Sequence, residues 1–502
     1  MTPLPNPLIP GFNPDPSICR VGDDYYIACS SFEYLPGIPI YHSRNLADWT
    51  PIGHVATRAS QLGLHDVPTL GGAWAPTLRH HDGRFWCVVT DANGRGSLIF
   101  TAERPEGPWS DGTPMQGVSG IDPDIAWDKD GTCYLTYSGL VFNGDGTDMT
   151  HLGIQQVRLD PESGKALEEP RSLWSGTGLM FPEAPHLYDI DGTWYLVIAE
   201  GGTERGHAVS VARSTRPDGP FEGCPANPVL SARSTDRPVQ NTGHGDLVEG
   251  PDGSWTMVLL GMRPRGMTRA FSPMGRETFA SPLRWVDGWP VIEPVELSPA
   301  GPTVRIRDDF AADRLGPEWL AVRQEPRALA NLTERPGWLR LTADGTADMD
   351  ALRPCFLGRR QQHERASVTA LLDVREGRGG LSVRMDEWHH YDIEANARTV
   401  CARGRTGTLT QTWELPLQGD AARVELRISA EPAPERGPGR LGPDVVRLSV
   451  RAGDEWTDLA VLDGRYVAAE TAASFTGRVM GMYAAEGTVD VDWLIYEGRD
   501  NG

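Results

Sequence analysis

One hairpin signature occurs five times in the first half of the chain, and it limits the fold more than any other feature. Each copy is a turn beginning at an aspartate and running into an aromatic-rich stretch. The copies are GDDYYIAC at Asp23, HDGRFWCVV at Asp82, KDGTCYLTY at Asp130, IDGTWYLVI at Asp191 and PDGSWTMVL at Asp252, spaced by 59, 48, 61 and 61 residues. Around them, short runs rich in Val, Ile, Tyr, Trp and Thr alternate with Asp-Gly, Asn-Gly and Pro-Gly turns, and long amphipathic helical patterns are nearly absent. Repeats of this period predict a β-propeller with one four-stranded blade per copy. Residues 1–300 are therefore read as a five-bladed propeller.

The repeat stops after Asp252, and the polar, Pro/Gly-containing segment VELSPAGPTVRIRDDF marks a boundary near residue 300. Beyond it, runs such as GWLRLTA, RASVTALLDV, GGLSVRM, HHYDIEA and VDVDWLIYEG are again strand-like. Residues 301–502 are expected to form a β-sandwich, so the chain is all-β.

The repeat also points to one position per blade. Eight residues before the turn aspartates stand Asp15, Trp74, Asp122, Glu183 and His244. The first strand of a propeller blade lines the central channel, so these five side chains should converge at its mouth. A purely structural position would carry small or apolar residues. Three acids at one phase are costly, because packed like charges raise each other's pKa. Glycoside hydrolysis needs such a set: a protonated acid for the leaving oxygen, a carboxylate to activate water or attack the anomeric carbon, and a neighbour that tunes the acid. A metal cluster is an alternative reading of the three acids, but a calcium cage needs further oxygen donors that a sequence does not reveal. No nucleophile elbow and no phosphate loop is apparent. Asp124 could share a face with Asp122 by strand alternation, but it falls off the repeat phase and is read as a decoy.

The segments NPLIPGFNPDPSI, WAPTL, GIDPDIAWDKDG, FPEAPHLY, TGHGDLVEGPDG and MGRETF, followed by DDF, LGPEW, ERPGWLRL and FLGRRQQH, carry a resemblance that covers essentially the whole chain. The sequence resembles glycoside hydrolase family 43, in the branch of β-xylosidases and α-L-arabinofuranosidases with a C-terminal concanavalin-like jelly roll. The resemblance implies Asp15 as general base, Glu183 as general acid and Asp122 as the residue that tunes and orients that acid. It implies inversion of configuration, hence an Asp15–Glu183 carboxyl separation of roughly 6.5–9.5 Å. It further implies that Arg276 hydrogen-bonds sugar hydroxyls, that Trp74 and Phe32 wall the pocket, and that His244 stands on the channel axis beside the acids. The sandwich is expected to pack on the propeller and lend a loop to the pocket rim, which would close the groove into an exo-acting pocket. Trp388, His389 and His390 are read as packing rather than as a rim contact or a zinc site.

The activity expected is release of terminal xylose from small xylo-oligosaccharides. The alternatives are an α-L-arabinofuranosidase or bifunctional enzyme, a retaining enzyme acting on other furanosides such as fructans, and a non-catalytic carbohydrate-binding propeller. No cofactor and no metal ligand set is predicted, while a structural or activating divalent ion such as calcium on the propeller axis, and a homo-oligomer, stay open. The formal charge of −21 speaks against nucleic acid. No apolar run is long enough for a membrane span, and no leader pattern is recognisable at the N-terminus. The seven scattered cysteines suggest buried, reduced thiols. Together these lead to the expectation of a cytoplasmic protein.

Overall fold

The computed structural model describes residues 4–142, 149–346, 348–417, 422–436 and 439–500. Each hairpin signature becomes the two inner strands of one blade. In the second and fourth copies, Asp82-Gly83 and Asp191-Gly192 both adopt positive φ (50° and 74°, 51° and 81°), the backbone of a tight two-residue hairpin turn. The five blades are built outward from inner strands Ser17–Val21, Gly72–His81, Gly120–Trp127, Glu183–Ile190 and Gln240–Glu249. These inner strands pack against one another around the axis. The aromatic-rich strands behind them are almost wholly buried, because both of their faces meet a neighbouring blade. The ring closes where the N-terminal segment joins the last blade: Leu8 and Ile9 donate to Thr278 O, and Asn6 exchanges two hydrogen bonds with Ala280.

The C-terminal domain is a β-sandwich around one large apolar core that includes Trp319, Leu357, Leu381, Ile393, Leu448 and Tyr496. Two long strands, Arg365–Arg384 and Val479–Arg499, pair with each other along most of their length and run on past irregularities in register. Among the described residues, helix is confined to Pro326–Leu329, Ala469–Ala472 and short 3-10 turns. Among the described residues no helix is long and apolar enough to cross a membrane. All seven cysteines are unpaired, and only Cys401 is not fully buried.

The two domains are stitched together. Ala321–Val322 of the sandwich pairs with Tyr34–Leu35 of the first blade. A second seam joins the loop before Glu277 to residues 469–478: Glu470 accepts from the Ser272 N–H and hydroxyl at 2.7 Å each, and Arg478 N–H donates to Pro273 O. Two glycines allow that approach. A Cβ at Gly275 (φ 67°) would sit 2.2 Å from Thr476 O, and one at Gly477 would sit 2.1 Å from Met274 O.

Candidate active site

The phase residues do not lie on regular strand. In four blades the inner strand slips register where the phase residue sits: between Ala73 and Pro76, Ile121 and Asp124, Glu183 and His186, and Gly243 and Asp246. Bulges of this kind re-aim a side chain at the edge of a sheet. Asp15, Asp122 and His244 also hold left-handed backbone (φ 54°, 53° and 52°), which costs about 1–3 kcal/mol each for residues that have a Cβ. All five phase residues line one cavity of about 570 Å³ at the channel mouth. A slightly larger hollow of about 600 Å³ lies between Pro36, Thr57 and the sandwich, far from the three acids. The acid-lined cavity is the one with chemistry in it.

The three acids sit in different fields. Asp15 is 4% exposed. Burial pushes its pKa up, but Arg276, His244, the Ser30 hydroxyl and His207 outweigh burial and hold it below the usual value. Arg276 Nη1 reaches Asp15 Oδ1 at 3.1 Å, Ser30 donates to Oδ2, and His244 Nδ1 lies 3.5 Å from Oδ1. Asp122 has one direct donor, the Ala184 N–H at 3.2 Å. Burial and the charge of Asp15 raise its pKa to about 7. Glu183 is raised further, to about 8, by burial and by the charges of Asp122 and Asp15. One acid is thus held ionised and two are pushed toward the protonated form, a division of labour suited to acid–base chemistry.

The remaining predicted residues surround this trio. Arg276 is 7% exposed and braced by Phe475 O (3.2 Å from Nε), Thr203 Oγ1 (3.1 Å from Nη1) and the rings of Phe32 and Phe475 at 5.5 and 5.1 Å. Phe32 is only 2% exposed and packs on Phe12 and Phe475. Trp74 is half-buried, donates Nε1–H to Leu70 O at 2.7 Å and meets Phe475 edge-on. Burial, opposed by Asp15, drives the His244 pKa down to about 3, so its ring is neutral. Asp124 is not on the pocket wall. It forms a second cluster, with both carboxylates fully buried, in which Arg79 bridges Asp124 (2.8 Å) and Asp246 (3.0 Å), with Tyr188 and Ser17 donating to Asp246. Trp388 stacks on Arg405, His389 and His390 pair with Asp386 and Asp392, and none of the three lines the cavity.

Several lining residues carry no repeat signal. Phe475 comes from the sandwich, on the loop seated by Gly275 and Gly477; the rim contact was expected, but nothing in SFTGR singles out the residue. His151 lies in the third strand of its blade. Its Nε2 stands 3.8 Å from Glu183 Oε1, both ring nitrogens are buried without a hydrogen-bond partner, and Phe181 packs on it at 4.9 Å. His207 and Thr203 follow the fourth blade's second strand and fall outside the phase.

An ion on the axis finds no ready cage. The lower carboxylates are committed to Arg79, and among the described residues no three His, Cys, Asp or Glu side chains converge as metal ligands. The side chains present do not fit a protein-built calcium site.

Residues 4–290 match the glycosyl hydrolases family 43, and residues 307–497 match the beta xylosidase C-terminal concanavalin A-like domain. The chain is 37% identical to a non-reducing end alpha-L-arabinofuranosidase of Bacteroides ovatus, across 99% of this chain and 95% of that protein. It is 38% identical to a xylan 1,3-beta-xylosidase of a Vibrio species, across 80% and 81%. Among solved structures, a xylan beta-1,4-xylosidase from Bacillus halodurans superposes with a TM-score of 0.88 at 30% identity, over 99% of this chain and 100% of that one. The five-bladed propeller, the acid-lined pocket and the appended concanavalin-like sandwich therefore belong to a glycosidase of family 43, in its group of xylosidases and arabinofuranosidases.

Proposed function

We propose that the protein is an exo-acting, inverting β-xylosidase that releases the terminal xylose of small xylo-oligosaccharides. The observation that carries this reading is the split among the three acids at the base of one pocket, with Asp15 held ionised and Glu183 held protonated. Asp15, with its charge fixed by Arg276, takes the proton of the attacking water. Glu183 protonates the leaving glycosidic oxygen, and Asp122 keeps that acid's pKa high through its own charge. Arg276 and Trp74 hold the terminal sugar, and Phe475 closes one side of the pocket against a longer chain.

Inversion requires α-xylose as the first product of a β-xyloside. Proton NMR of the nascent sugar tests it, and β-xylose as first product would mean retention. The B. ovatus relative favours a second reading, in which the preferred substrate is an α-L-arabinofuranoside. Comparing kcat/KM on chromogenic β-xyloside and α-L-arabinofuranoside ranks the two. A tenfold preference for the arabinoside would replace the xylosidase reading. Wild type and Glu183→Ala equally inactive on both, with sugar binding intact, would leave only a binding propeller.

A further inference from the structure

The segment FLGRRQQH brings two arginines to the seam between the domains, where neither meets an acid. Arg359 and Arg360, at the end of strand Cys355–Arg360, are 5% and 7% exposed. Arg360 donates Nε–H to Phe12 O at 2.6 Å and lies 5.0 Å from the Phe12 ring, but its Nη2 is buried with no hydrogen-bond partner. Arg359 lies 4.7 Å over the Tyr496 ring, and its Nε is likewise buried and unpartnered. Burial works against the charge of Arg359 and lowers its pKa, despite Tyr496, Glu318 and Asp308 nearby. Buried charges are as a rule paired, because removing a guanidinium from water without a counter-charge is expensive.

Both arginines line a cavity of about 120 Å³ between the first blade and the sandwich. His54 lines it too, 4% exposed, with an Nε2 that has no partner. Burial and the charge of Arg360 bring the His54 pKa down to about 3, so its ring is neutral and adds no cation to the wall. Glu318 is the one acid on the described wall, and it stays beyond ion-pair distance of both guanidiniums. Asp308 is already engaged with Trp319 Nε1 at 3.0 Å and the Phe310 N–H at 2.9 Å. The space equals about four water volumes at roughly 30 Å³ each, enough for a compact ion and too little for an oligosaccharide.

From these two guanidiniums without an acid partner and the cavity they share, we infer a binding site for a small inorganic anion of the chloride or phosphate class. The bound anion neutralises the seam and clamps the sandwich to the first blade. Through Arg360 and the Phe12 carbonyl, the clamp reaches the segment that ends at Asp15 three residues later.

Thermal unfolding of the full chain tests this site without relying on activity. Chloride and inorganic phosphate are titrated separately at constant ionic strength, balanced with gluconate, which is too large for the cavity. The expected result is a saturable rise in Tm with one of the two anions, which identifies the occupant. Arg360→Met should weaken the apparent affinity at least tenfold, and Glu318→Gln, which removes the competing negative charge, should tighten it several-fold. A non-saturating rise, or the same titration curve in wild type and Glu318→Gln, overturns the proposal as a general salt effect. If Arg360→Met does not fold, wild-type crystals soaked separately in bromide and in arsenate decide: an anomalous peak beside Arg360 Nη2 with either anion supports the site, and a cavity without one in both refutes it.

Discussion

Two carboxylate clusters lie at the centre of the propeller, the lower one two residues further along the first strand of the third blade (Asp122 to Asp124) and of the fifth (His244 to Asp246), and they behave oppositely. The upper one, Asp15, Asp122 and Glu183, has one guanidinium, and that guanidinium pairs with Asp15 alone. Burial and the charge of Asp15 raise the pKa of Asp122, and burial with the charges of Asp122 and Asp15 raises that of Glu183. The lower one, Asp124 and Asp246, has Arg79 between them at 2.8 and 3.0 Å, and Tyr188 and Ser17 supply further donors. Burial raises the Asp246 pKa, but Arg79, His186 and those hydroxyls outweigh burial and leave it well below the usual carboxylate range. Burial alone does not make an acid reactive. The number of cations and donors per carboxylate does, and it makes the upper cluster a store of protons and the lower one a fastener.

The contrast breaks most sharply at its two centres. Glu183→Gln should cut kcat on xylobiose by about 10²–10⁴-fold, with a smaller loss on an aryl xyloside whose leaving group needs no proton. The same variant should gain stability. A carboxyl whose folded pKa is raised to about 8 binds its proton more tightly when folded. It therefore loses stability as pH rises from its unfolded value toward 8, and an uncharged amide avoids that loss. A Tm rise of roughly 1–3 °C at pH 8, checked by calorimetry, is the expected signature. At the lower cluster the pattern should reverse. Arg79→Met leaves two buried carboxylates unpaired, and a loss of about 3–5 kcal/mol in urea unfolding is expected, whatever remains of activity in the folded fraction.

A finer cut separates Asp122 from Glu183. Removing the Asp122 charge in Asp122→Asn takes away one of the negative charges that raise the Glu183 pKa. The alkaline limb of kcat/KM against pH should then move to lower pH by roughly one unit, while the acid limb, set by Asp15, stays where it was. If both limbs moved together, Asp122 would not act through Glu183. The smallest effect concerns the rim. Phe475→Ala opens one wall of the pocket and removes a ring that packs on Arg276, so KM for xylobiose should rise by about 10-fold with a lesser change in kcat. An unchanged KM would place the terminal sugar away from the sandwich.

The convergence of the site was legible in the sequence because a propeller turns repeat phase into spatial position. Counting back eight residues from five turn aspartates picked out Asp15, Trp74, Asp122, Glu183 and His244, and all five line one cavity. The same rule is blind to anything outside the phase. His151 sits on a third strand, and Phe475 arrives from another domain 199 residues after Arg276. Side-chain alternation alone did not separate Asp122 from Asp124. The bulge between Ile121 and Asp124 does, by letting one face the pocket and the other Arg79.

By itself the sequence determined the all-β class, the five-fold ring and the acids that share its mouth, because these follow from periodicity and turn chemistry, which are local. Only the tertiary structure decided which acid is ionised and which keeps its proton. That depends on where Arg276 and Arg79 reach across the axis, and a guanidinium's partner is chosen by distance and burial rather than by position along the chain.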